Sequence, residues 1–97
     1  MLRQQEDLAE AIIGAAKELA EQGPYQENVL NEVKDQLEGA SFPIQYINDI
    51  VEEIQENPAC VAQNVTTETL RIYLEANHSG ETISPFREAI ILSALSK

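Results

Sequence analysis

Glu75 and His78 stand three apart, the Glu-x-x-His spacing that sets two metal ligands on one face of a helix. A di-iron centre of that kind needs a second such motif and two more inward-facing Glu on long helices. This chain has one motif, at a helix end, and a single His. A homodimer would double the motif, but the plainer reading is an exposed turn histidine. Cys60 with His78 supplies the residue types of a nucleophile and its base. No third, orienting group is indicated, and Cys60 between Ala59 and Val61 reads as a small packed apolar residue. One Cys and one His exclude an intramolecular disulfide and an ordinary Cys/His zinc site within one chain. No Gly-rich phosphate loop, Asp-x-Asp-x-Asp-Gly calcium loop or His-Glu-x-x-His motif occurs. Paired carboxylates lie only in surface stripes. The expectation is a chain without metal, cofactor or catalytic activity.

Carboxylates are the one abundant reactive type. The 97 residues hold 17 Asp plus Glu against 6 Lys plus Arg, a formal net charge of −11. Because 43% of the residues are hydrophobic, this is no disordered acidic tail. Thirteen of the acids but only three of the bases fall within residues 1–57, and no Lys or Arg separates Lys34 from Arg71. Asp49 and Glu53 are four apart, as are Glu52 and Glu56, so like charges face each other on adjacent turns. Glu53 and Glu56 also sit at the negative end of the helix dipole, where carboxylates are disfavoured. A surface that accepts such a cost is a candidate for use. Asp49, Glu52, Glu53 and Glu56, with Asp35 and Glu38 on the preceding helix, are the expected contacts to a basic partner surface. The plain alternative is an acidic face that serves solubility alone. Four acids over roughly 21 Å of helix give about one charge per 5 Å, against about one per 1.7 Å along duplex DNA. One helix is too sparse to imitate nucleic acid; two or three side by side could do so.

Leu70-Arg71-Ile72-Tyr73-Leu74, a turn at 77–80, and Thr82-Ile83-Ser84-Pro85-Phe86-Arg87 have the outline of a helix-turn-helix. Pro85 would fall within the reading helix, and only Arg71 and Arg87 could meet phosphates. The acidic balance argues against direct nucleic-acid binding.

The elements that carry these residues are helical. Leu8, Ile12, Ala15 or Ala16, and Leu19 recur at steps of three and four, predicting a helix over 3–22 that Gly23-Pro24 stops, Gly23 as the left-handed cap. Val29, Leu30, Val33 and Leu37 predict a second over 25–38, ended by Gly39 in the same way. Ile44, Ile47, Ile50, Val51 and Ile54 predict a third over 42–56, closed by Asn57-Pro58. Residues 58–64 read as a turn with one helical turn inside. Thr66 is the expected N-cap of a fourth helix over 67–77, with Val65 packing on Leu70 as a hydrophobic staple. Ser84 and Pro85 should open a fifth, to Ser96. Nothing alternates with period two. The expected fold is all-α, a compact single domain over residues 1–97 of about five short helices, packed orthogonally or as a bundle around an apolar C-terminal helix. That helix is apolar all round, so it is either the centre of the fold or a homodimer interface through Phe86, Ile90, Ile91 and Leu95.

No apolar run reaches the roughly 18 residues of a membrane span, and the N-terminus does not read as a signal peptide. A lone Cys fits a reducing, cytoplasmic setting. The expected function is a non-catalytic acidic protein that docks on a basic surface of a partner protein and inhibits or regulates it. Its most specific form is a nucleic-acid mimic, an anti-defence inhibitor of a nucleic-acid-handling protein. The alternatives are a structural or assembly subunit using its C-terminal helix, and a helix-turn-helix-like regulator.

Overall fold

The computed structural model describes residues 2–23, 26–81 and 83–95, with side chains from Glu6 onward. Among the described residues the chain is all-α, in six helices: α1 (Leu2–Gln22), α2 (Glu27–Gly39), α3 (Ile44–Glu56), α4 (Pro58–Asn64), α5 (Thr67–His78) and α6 (Phe86–Leu95). The expected boundaries at Pro24, Tyr25 and Ser96 lie outside the described residues, as does Thr82.

The sixth helix is α4, expected as a turn. Pro58 occupies its first turn, where the missing N–H costs nothing, and small residues follow. Val61 then anchors it, wholly buried in the core. Seven residues would not hold a helix in water; tertiary burial holds this one.

α1 is the hub of the molecule, packing against α2, α3, α4 and α5. Leu8, Ile12, Ala15 and Leu19 are buried as their spacing implies, and Ala9 and Ala16 are fully buried as well. Those two methyl side chains let neighbouring helices approach α1 closely. The C-terminal helix is therefore not the centre. α6 touches α3, α4 and α5 along one side, burying Phe86, Ala89, Ile90 and Ser93, and leaves Ile91, Leu92 and Leu95 exposed. Its all-round apolar sequence does not translate into all-round burial, because four other helices already surround α1.

Two helix ends follow the sequence. Gly23 takes φ 106°, with its amide bonded to the Leu19 carbonyl at 2.8 Å. Thr66 caps α5 by accepting the Thr69 amide at 3.1 Å, while Val65 and Leu70 are both buried beside it. The end of α2 does not. The helix runs through Gly39, and the left-handed residue is Ser41 at φ 67°. Phe42 N bonds Leu37 O (3.2 Å) and Ser41 N bonds Glu38 O (3.0 Å), the paired bonds of a Schellman motif. That places Ser41, not Gly39, at the position that favours glycine. Phe42 precedes Pro43, which disfavours helical backbone there. So α3 starts at Ile44, and the Phe42 ring is buried instead.

Three aromatic rings tie the C-terminal third to α3, and one buried amide braces that third internally. Tyr46 lies 5.6 Å from Tyr73, which meets Phe86 edge-on at 6.3 Å. Tyr73 Oη donates to the Ser84 and Pro85 carbonyls. Buried Asn77 donates to Tyr73 O (2.8 Å) and accepts from Ser84 N (2.7 Å), clamping the α5–α6 connection. Burial pushes the Tyr46 and Tyr73 phenols up, because the tyrosinate would lose its hydration.

Candidate protein-docking surface

The four carboxylates of α3 do not form one solvent face. Asp49 and Glu53 share the flank that meets α6. Asp49 Oδ2 accepts the Phe86 amide at 2.6 Å, so the N-terminus of α6 is capped from another helix rather than by Ser84. Glu53 lies 3.7 Å from Arg87 Nε, its side chain only 14% exposed, and its Oε1 also accepts from Asn57 Nδ2 at 3.5 Å. The expectation that Asp49 and Glu53 await an external cation is thus corrected. A helix N-terminus neutralises one and an arginine the other, both from the last quarter of the chain. Glu52 and Glu56 are exposed, as are Asp35 and Glu38 on α2.

The unneutralised carboxylates concentrate on α1 and α2. The described residues form two ion pairs, Arg71–Glu75 (3.1 Å) and Arg87–Glu53, and neither involves α1 or α2. Asp7, Glu10, Glu18 and Glu21 are all exposed along α1. Their spacing centres on Gly14: Glu10 and Glu18 lie four residues either side of it, Asp7 and Glu21 seven. Gly14 is exposed, and a Cβ added there would meet nothing within 4 Å. It lies in a shallow groove of about 280 Å³ between α1 and α2, with Ala11, Ala15, Val29 and Val33 in its lining. Glu18 borders this groove from α1 and Glu32 from α2. Asp35, one turn beyond Glu32, extends the acidic stripe. The signal was present in the sequence, as acids at ±4 and ±7 around a mid-helix glycine. The acids of α3 are more densely spaced along the chain, which is why they dominate the pattern in the sequence.

The other candidate chemistry comes apart. His78 is half-buried rather than an exposed turn residue. Its Nε2 lies 2.7 Å from the Ala40 carbonyl, which can only accept, so that nitrogen carries a proton. The ring also meets Phe42 edge-on at 4.9 Å. Glu75 pairs with Arg71 instead of sharing a ligand with His78. No group of three or more His, Cys, Asp or Glu able to hold a metal occurs among the described residues. Cys60 is exposed rather than packed, its Sγ accepting from Asn64 Nδ2 at 3.4 Å. Pro85 lies just ahead of α6, not inside it. The N-terminus that would face a phosphate in a helix-turn-helix already holds the Asp49 carboxylate, and Arg71 and Arg87 are both paired. No helix among the described residues is long and apolar enough to cross a membrane.

No protein family, curated protein or solved structure matches this chain.

Proposed function

We propose that this protein is a non-catalytic binding module whose acidic surface docks on a basic surface of a partner protein and thereby inhibits or regulates it. The observation that carries the reading is the row of exposed α1 and α2 carboxylates that forms no ion pair among the described residues. The docking surface comprises Asp7, Glu10, Glu18 and Glu21 of α1 with Glu32 and Asp35 of α2. Glu38, Glu52 and Glu56 add to the field from the neighbouring turns. Unpaired like charges on adjacent turns oppose folding by a few tenths of a kcal/mol each. A basic partner relieves that repulsion and gains association rate from it.

A nucleic-acid-handling partner suits the charge density. Four acids of α1 and two of α2, less the exposed Lys17 on the same stripe, leave five net charges over the roughly 21 Å from Asp7 to Glu21, about one per 4 Å and about two-fifths of the axial density of duplex DNA. The α3 stripe alone is sparser, and two of its members are neutralised.

The test is capture of partners from the native host at about 50 mM and about 500 mM salt, with the retained protein identified. The expected result is a protein with a lysine- or arginine-rich surface, lost at high salt and lost with Glu18→Lys, Glu32→Lys and Asp35→Lys combined. A retained partner whose affinity is indifferent to salt and to these changes overturns the reading.

A further inference from the structure

Gly14 is a glycine that the monomer does not need. It lies inside α1, where glycine weakens a helix relative to alanine. Its φ is not positive, and a Cβ added there would meet nothing within 4 Å. Neither a left-handed backbone nor a close approach within the chain calls for it. What a side chain would cover is the α1–α2 groove of about 280 Å³, walled by Ala11 and Ala15 on one side and Val29 and Val33 on the other.

We propose that this groove anchors the basic partner by taking one of its arginine side chains, the stem along the apolar walls and the guanidinium between Glu18 and Glu32. The inference rests on the acidic-docking reading above and names the group that enters. Charge selects it first. Glu18 borders the groove from α1 and Glu32 from α2, with Gln36 Nε2 3.5 Å from Glu32 Oε1. Neither carboxylate forms an ion pair among the described residues. The nearby cations of the chain turn elsewhere. Lys17, three after Gly14, projects on the other side of Gly14 from Ala11 and Ala15. Lys34 borders a different hollow, with Val51 of α3. The field at the groove is therefore negative, and a second copy of this chain or a phosphate-bearing ligand would bring like charge to it.

Size and lining select further. The groove is shallow and lies just under the roughly 300–1,000 Å³ of small-molecule sites, which suits one side chain. Long basic side chains lay their methylene stems on apolar surface and keep the charged head in water. Here methyl and isopropyl groups meet the stem, and two carboxylates meet the head. Arginine suits the pair better than lysine, because its planar guanidinium offers donors on more than one edge and is less strongly hydrated. Gly14 then has a use: the stem lies directly on the helix backbone, where any side chain would obstruct it.

The probes are oligoarginine and oligolysine peptides of equal length, titrated into the whole isotope-labelled chain at about 50 mM salt and followed by amide NMR shifts. The largest shifts are expected at Gly14, Glu18 and Val33, with oligoarginine bound several-fold more tightly than oligolysine. Gly14→Leu fills the groove without altering charge and should weaken oligoarginine roughly fivefold with helicity intact; Gly14→Ala should weaken it about twofold. Glu18→Gln with Glu32→Gln should weaken it roughly tenfold, whereas Glu52→Gln with Glu56→Gln, the same loss of charge on α3, should weaken it less than about twofold. Equal losses from the two pairs, or wild-type binding by Gly14→Leu, overturn the groove inference and leave the docking reading standing. Oligolysine binding as tightly as oligoarginine overturns the assignment to arginine. A chain that binds neither peptide at about 50 mM salt overturns both readings.

Discussion

The Asp49 carboxylate accepts the amide proton of Phe86, thirty-seven residues further along the chain, at 2.6 Å. α6 thereby borrows its N-cap from α3, and the last helix is seated by a charge that its own sequence does not contain. Asp49→Ala removes both the acceptor and the favourable charge at the helix N-terminus, at a cost of about 1–2 kcal/mol. For a domain of this size that lowers the melting temperature by roughly 5–15 °C. Asp49→Asn keeps an acceptor without the charge and should recover part of the loss. Equal melting temperatures for wild type and Asp49→Ala would show that the cap contributes nothing.

Two positions hold backbones that another residue would favour. Ser41 has φ 67° at the left-handed position of the α2 Schellman motif. Ser41→Gly should stabilise by about 0.5–1 kcal/mol, because a Cβ is penalised there. Gly14 sits exposed within α1 with open space above it, so Gly14→Ala should gain about 1 kcal/mol from backbone entropy alone. Urea unfolding reads both as higher midpoints with unchanged slopes. The two sites are on different helices, and the double variant should show the sum.

Stability should fall in alkali. Tyr46 and Tyr73 have phenols raised by burial above the ordinary value of 10.0, so the folded chain keeps them neutral while the unfolded chain ionises. The sign follows: their contribution is intact below about pH 10 and is lost as pH climbs beyond it. Tyr46, the more deeply buried, adds up to about 1.4 kcal/mol of destabilisation per pH unit in that range, and Tyr73 less. Melting curves between pH 8 and about 11.5 should show this decline, with Tyr46→Phe declining less steeply. Near neutral pH the same variant should be neutral or stabilising. The buried Tyr46 hydroxyl lies by Asn77 but forms no hydrogen bond of normal geometry.

His78 clasps the end of α5 to the end of α2 through the Ala40 carbonyl and the Phe42 ring. His78→Ala should cost about 1–2 kcal/mol and open the Ala40–Phe42 turn to hydrogen exchange. Protection there equal to that of the wild type would show that the Schellman motif holds without the clasp.

The helices themselves were legible residue by residue. Leu8, Ile12, Ala15 and Leu19 announced the buried face of α1, and Gly23 and Thr66 announced two of the caps, because periodicity and capping act within one or two turns. The uneven distribution of acid was legible for the same reason. The seven residues of α4 were not, since a helix that short exists only where a neighbour buries Val61.

The roles of the charges depended on distance across the fold rather than along the chain. Asp49, Glu52, Glu53 and Glu56 are equivalent by type and spacing. Only the seating of α6 separates the two that are neutralised from the two that face solvent. The same packing buried Phe86 and Ile90 while exposing Ile91 and Leu95, drew His78 onto α2 and left Cys60 at the surface. Sequence settled what the five longer segments would become, since that is decided by local backbone energetics. Tertiary structure settled which side chains remain available, since a cation or an amide thirty-odd residues away reaches them only after folding.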